Sequence, residues 1–320
     1  MKRQLKTTGF AWLAFFLVCT NQGLFAQDEP KKESEILLPA ELTNYDTSSL
    51  GYSLDKYENR FMDIYLSLKY PIARNVWETK NFTFSVAPYL AFVSRLAFHV
   101  GSRPSSPVIG KTFNPKVILF RWFPEGYYGN KKDAETYVDL AYAHESNGQD
   151  VTDLNQYKNK VDSLGSAVLA NDFIDRGWDS VEIRGKYEKR LSESFAFSGL
   201  IQINYYLPNS LLQGAPDEYR DWENDPEGKK RSQVDGFKAG MSVKYFFPAN
   251  NFFLKGIQLG GYYTTGLLAP FKYHSLRTEF VFTIGHLPLL FYYQTGYVND
   301  LSMYYKQSWL AGFALQYRGW

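Results

Sequence analysis

The chain carries a single cysteine in 320 residues, Cys19, and it stands in a segment expected to be removed. The mature protein therefore owes nothing to disulfides, even in an oxidising compartment. Charge of one sign is also missing: 35 basic residues face 33 acidic ones, a formal net charge of +2, which gives no case for a nucleic-acid partner. Long apolar runs are equally scarce. After residue 26 nothing approaches ~18 consecutive apolar residues, so membrane-spanning helices are excluded. Histidine occurs only at His99, His144, His274 and His286.

The one apolar stretch of note lies at the start. Lys2, Arg3 and Lys6 precede the apolar run Phe10 to Cys19, and Leu24-Phe25-Ala26 leads into the polar Gln27-Asp28-Glu29-Pro30. This layout predicts a secretory signal peptide over 1–26, too short to span a bilayer. Bulky Val18 before Cys19 argues against a lipoprotein site.

What the chain has in abundance is aromatic residues: 25 Tyr, 25 Phe and 7 Trp, 18% of the sequence, at a mean hydropathy of only −0.35. A soluble core this aromatic would bring more aliphatic residues with it. A transmembrane β-barrel accounts for both values, since each strand gives alternate residues to lipid and aromatic girdles mark the interfaces. The patterning agrees. Residues 27–60 are polar and read as an N-terminal periplasmic arm. From residue 61 the period is two: Met62, Ile64, Leu66, Leu68 and Tyr70 alternate with Asp63, Tyr65, Ser67 and Lys69. Similar segments recur at 82–99, 115–123, 136–146, 179–190, 195–207, 236–247, 256–265, 275–284, 288–297 and 307–317. The reading is an all-β chain, with an antiparallel transmembrane barrel of about 12 strands over 61–320. Leu310 to Tyr317 alternates and ends near an aromatic residue, like the insertion signal of outer-membrane barrels. Three long polar connectors, 101–114, 148–174 and 209–235, read as surface loops.

His144 and Ser146 lie two apart in a strand pattern, so their side chains leave one face. They share the parity of Val138, Leu140 and Tyr142, whereas Asp139, Ala141, Ala143 and Glu145 take the other. The apolar set faces lipid, so His144 and Ser146 point outward at the strand end, where a lipid substrate would lie. Serine needs a base to become a nucleophile, and imidazole needs an acceptor on its other nitrogen. Asp179 is the candidate acceptor: it shares the outward parity of Val181 and Ile183, opposite Ser180, Glu182, Arg184 and Lys186. Gly148 is the candidate oxyanion donor. Asp63, Lys69, Glu182, Arg184 and Lys186 are expected to line the lumen and pair there.

Two stretches carry a resemblance. Tyr142-Ala143-His144-Glu145-Ser146-Asn147-Gly148 resembles the His-x-Ser-Asn-Gly motif of the outer-membrane phospholipase A family (bacterial phospholipase A1). Asp175-Arg176-Gly177-Trp178-Asp179 is similar to that family's Ser-Arg-x-Trp-Asn segment. Tyr45-Asp46-Thr47, Ser105-Ser106-Pro107 with Asn114-Pro115, and Leu289 to Leu315 fit as well, so the likeness spans about 44–320. It implies a 12-stranded barrel in the outer membrane of a Gram-negative cell. It also implies calcium-dependent hydrolysis of phospholipid and lysophospholipid acyl esters by a calcium-promoted homodimer. Carried over, Ser146 is the nucleophile, His144 the base, Asp179 the orienting residue and Gly148 an oxyanion donor. Calcium would take the Gln149 carbonyl, the Asp175 side chain and the Ser105 carbonyl of a partner subunit. His99 falls near a glutamine of the family's dimer interface.

This chain departs from the pattern in having Asp179 where the family has Asn, Asp175 where it has Ser, and a far longer connector from Gln149 to Ile174. Alternatives from other classes are a catalytically silent structural barrel, a narrow pore, and an acyltransferase or lipid A-modifying barrel.

Overall fold

The computed structural model describes residues 42–57, 59–72, 76–78, 82–85, 89–101, 108, 110–124, 136–223, 228–248, 253–298 and 300–317. Alternation of apolar and polar residues produces twelve long strands: β1 (Ser48–Asp55), β2 (Arg60–Pro71), β3 (Tyr89–His99), β4 (Gly110–Pro124), β5 (Tyr137–Ser146), β6 (Gly177–Arg190), β7 (Phe195–Tyr206), β8 (Gly236–Phe246), β9 (Leu254–Gly266), β10 (His274–Ile284), β11 (Leu287–Gly296) and β12 (Ser308–Tyr317). Each pairs antiparallel with its neighbour in sequence, and β12 pairs with β1, Phe313 opposite Tyr52. The result is a closed 12-stranded antiparallel barrel with no free edge. No helix among the described residues is long and apolar enough to cross a membrane.

Two boundaries differ from the sequence reading. Ser48–Asp55, inside the segment read as an arm, is the first barrel strand. Its apolar positions Leu50, Tyr52 and Leu54 alternate with Ser49, Gly51 and Ser53, and such small residues dilute the hydrophobic signal. The segment 82–99 divides into Phe82–Ser85 and Tyr89–His99, both laid against β4.

The period of two sorts the side chains as expected. Leu50, Met62, Leu90, Ile183, Met241 and Phe313 stand exposed on the outer wall. The lumen holds ion pairs: Arg95 with Asp63 and Asp300, Lys116 with Glu182, Arg121 with Asp139, and Arg184 with Asp46. Removing one partner of such a buried pair leaves an uncompensated charge and costs ~3–5 kcal/mol. Lys186 pairs with Glu188, so Asp63, Glu182, Arg184 and Lys186, all expected in the lumen, are ion-paired there. Tyr45 and Asp46 enter the lumen ahead of β1, Tyr45 packing on Tyr89 and Ile118. The opposite end is filled by Trp178, Val234, Leu301, Tyr304 and Tyr305.

His99 corrects an expectation. It shares the inward parity of Arg95 and Ala97, and its ring meets buried Phe61 edge-on with centroids 5.2 Å apart. An inward ring in this aromatic packing is not available to a subunit interface on the outer wall.

Candidate active site

Antiparallel register places His144 directly opposite Asp179, and Ser146 opposite Gly177. Strand pairing alone therefore brings together residues 35 apart in the chain. His144 Nδ1 lies 2.6 Å from Asp179 Oδ1. A carboxylate only accepts, so the imidazole donates from Nδ1 and Nε2 is left as the basic nitrogen. Ser146 leaves the same face and is half-buried; its hydroxyl makes no hydrogen bond to His144 among the described residues. Free hydrolase sites are commonly loose at this contact and tighten with substrate.

Asp179 points outward, but not into lipid: its side chain has no exposed surface, against 20% for His144. The connector between β7 and β8 folds back over β6 and covers it. Oδ2 accepts from the Tyr142 hydroxyl at 2.5 Å, the Leu212 amide at 3.0 Å and the Gln213 amide at 3.1 Å. The covering turn is itself closed, the Ser210 amide donating to the Gly214 carbonyl at 2.9 Å, with Gly214 at φ 71°. Gly177 makes room for it, because a Cβ there would fall 2.2 Å from Gln213 Oε1. Tyr142, Leu212 and Gln213 were not legible as site residues. Tyr142 read as one more aromatic on the lipid stripe, and backbone amides leave no trace in a sequence.

The long connector after Ser146 is not a free lid. Asp153 caps α1 (Leu154–Leu164) by accepting from the Asn155 and Gln156 amides, and Gly165 ends it at φ 64°. A second helix, α2 (Ala167–Asn171), follows with Ser166 as its cap. Both ends of the excursion are then tied together. The Val151 amide donates to Phe173, and Asp175 donates back to Val151 at 2.9 Å. Asn147 clamps the neck from within: its side-chain amide donates to the Ile174 carbonyl at 2.8 Å, and its Oδ1 accepts the Arg176 amide at 2.9 Å. The neck residues Val151 and Ile174 are buried. The excursion thus returns Asp175 to the vicinity of Asn147 and Gln149, as a short connector would.

Gly148 has φ 55°, a conformation that an L side chain adopts only with strain, and its amide carries no hydrogen bond among the described residues. It is free to donate to an oxyanion.

Of the predicted calcium ligands, Ser105 lies outside the described residues. No group of three or more His, Cys, Asp or Glu side chains suited to a metal occurs among the described residues. A site built from one carboxylate and two carbonyls would not form such a group. The local charge suits a hard cation. Burial, and then the charge of Asp217, raise the Asp175 carboxyl above its ordinary range. Burial likewise raises Asp217, even with Arg220 2.9 Å away. Burial thus penalises the charged form of both carboxyls, and a bound divalent cation would offset that penalty.

No protein-family model matches the chain, and no curated protein matches it in sequence. Solved structures do match in fold. An outer membrane phospholipase dimer with bound calcium from Salmonella typhi superimposes with a TM-score of 0.55 at 14% identity, covering 87% of this chain and 92% of that one. Outer membrane phospholipase A from Escherichia coli gives 0.54 at 14% identity, over 86% of this chain and 97% of that one. An active-site asparagine-to-alanine mutant of the Escherichia coli protein gives 0.55 at 14% identity, over 88% and 94%. The chain has the barrel fold of the outer membrane phospholipase A structures across most of its length.

Proposed function

We propose that the chain hydrolyses acyl esters of phospholipids and lysophospholipids at the outer membrane, with Ser146 as nucleophile, His144 as base and Asp179 as orienting carboxylate. The observation that carries this reading is the 2.6 Å contact of His144 Nδ1 with Asp179 on the outer wall, with Ser146 on the same face. An apolar groove lined by Leu90, Phe92, Pro115, Val117, Tyr142 and Leu212 runs down the wall from this site, which suits an acyl chain. A narrow pore is disfavoured by the ion-paired lumen and by the Trp178–Tyr304 cluster across its end.

In the reaction, Ser146 Oγ attacks the ester carbonyl while His144 Nε2 takes its proton. Asp179 keeps the imidazole in the Nδ1–H tautomer and stabilises the imidazolium. The Gly148 amide donates to the oxyanion. Collapse breaks the ester bond and His144 returns the proton to the departing glycerol oxygen. Water then releases the fatty acid with the same base. Calcium, when bound at the Asp175 carboxylate, the Gln149 carbonyl and the Ser105 carbonyl of a partner subunit, would supply further stabilisation of that negative charge. This ligand set makes the active form a calcium-promoted homodimer.

The test is fatty-acid release from phospholipid by purified protein in detergent, with calcium and with chelator, comparing wild type with Ser146→Ala. Release that depends on Ser146 is the expected result. Equal release by both proteins would refute the assignment, and calcium-independent release would refute the metal site alone.

A further inference from the structure

The turn Ser210–Gly214 has two faces with different chemistry. Its backbone faces Asp179: the Leu212 and Gln213 amides supply two of the three donors on Oδ2. The Leu211 and Leu212 side chains face away. Leu211 and Leu212 are 69% and 67% exposed, among the most exposed aliphatic side chains described. Leu212 also lines the apolar groove on the outer wall, together with Val117, Phe92 and Leu90. The two leucines thus continue the surface that a barrel gives to lipid. In water such a pair gains nothing by exposure; beside acyl chains it gains burial.

We propose that Leu211 and Leu212 are a lipid anchor, that acyl chains of the surrounding leaflet are their occupant, and that insertion holds the turn so that its amides position Asp179. The turn is a positioning element acting on His144 through Asp179, and this role rests on the hydrolase reading above. The local construction fits. Hydrogen bonds from Ser210 to Gly214 make the turn a closed unit. Gln213 fastens its far side, donating from Nε2 to Asp217 at 2.5 Å while lying over Gly177. What the protein leaves uncovered at the tip is the two leucine side chains, and they are apolar. A polar tip would let the turn lift into water and uncover Asp179, and imidazole orientation would go with it.

The test uses the full chain in a Cys19→Ser background, reconstituted in vesicles of ether-linked phosphatidylcholine, which carry no ester bond to cut. A nitroxide on Leu211→Cys is compared with one on Leu259→Cys of the wall and one on Ser163→Cys of α1. Collision with oxygen as at 259, and protection from a nickel chelate, is expected; chelate access equal to that at 163 would overturn the anchor. Activity is then read on a water-soluble short-chain ester in the same vesicles. Leu211→Ser/Leu212→Ser should lower kcat on the order of tenfold with KM nearly unchanged, and Leu211→Met/Leu212→Met should restore it. An unchanged kcat in the serine pair would overturn the coupling to Asp179. If wild type cleaves neither this ester nor a phospholipid, the hydrolase reading and the coupling fall together, while a lipid-exposed label still establishes the anchor.

Discussion

The most exacting consequence of the geometry concerns Asp179→Asn, a change of one atom to the residue that the resembled family uses. In this chain it should be severe. Oδ2 of Asp179 accepts three hydrogen bonds, from Tyr142, Leu212 and Gln213, and Oδ1 accepts one from His144 Nδ1–H. Asparagine has one acceptor oxygen for these two sides. If the oxygen stays with the three donors, the amide NH₂ faces His144 Nδ1, forces the proton onto Nε2 and removes the base. If it turns to His144, the NH₂ faces two backbone amide donors in a buried site, while the Tyr142 hydroxyl can rotate to accept from it. Each buried group left unsatisfied costs ~1–3 kcal/mol. The two amides together hold the productive orientation ~2–6 kcal/mol above the other, or about one and a half to four decades in population. The equivalent change in a Ser-His-Asp site, where the tautomer is wrong, lowers kcat by about 10⁴. Asp179→Asn is therefore expected to lower kcat by roughly 10³ to 10⁴, measured as fatty-acid release from phospholipid micelles, with the barrel intact by its heat-modifiable gel mobility. Activity within tenfold of wild type would refute the reasoning.

Three further outcomes follow from the loops. Gly148→Ala should cost about 1–2 kcal/mol of backbone strain at φ 55° and lower kcat about tenfold; kinetics and thermal unfolding of the same preparation check both. Ile174→Ala, at the buried neck of the helical excursion, should destabilise that neck by ~2–5 kcal/mol and raise the calcium concentration for half-maximal activity. Calcium titration of release measures it. The raised carboxyls of Asp175 and Asp217 fix the sign of a pH effect. Stability from such groups is present below the ordinary carboxylate pKa and is lost as pH rises through the folded value. Calcium-free wild type should thus lose melting temperature relative to Asp175→Asn as pH rises from acid to neutral, and calcium should narrow that difference, read by thermal circular dichroism.

The wall of the barrel was legible because lipid on one side and charge on the other impose a strict period of two, as in Met62 to Tyr70. Strand β1 was not, because Ser49, Gly51 and Ser53 weaken that contrast. The outward parity of His144, Ser146 and Asp179 was readable from their strands, and register then made His144 and Asp179 face each other. What covers Asp179 was not readable, since the donors of Leu212 and Gln213 are backbone groups 33 and 34 residues away. The helix over 154–164 left a signal that the polar composition hid. Leu154, Tyr157, Val161 and Leu164 recur at helical spacing between an Asp153 cap and Gly165. Asn147 stood in the motif without a role, and the structure gives it one as the clamp that lets a long excursion leave the site's geometry unchanged.

The most direct measurement for the central claim is covalent trapping. Wild type, His144→Ala and Ser146→Ala, each folded in detergent, are exposed to a long-chain alkylsulfonyl fluoride and mapped by peptide mass spectrometry. The account predicts one sulfonyl adduct, on Ser146, in wild type, little in His144→Ala and none in Ser146→Ala. An adduct on another residue, or labelling of Ser146 that is indifferent to His144, would contradict it.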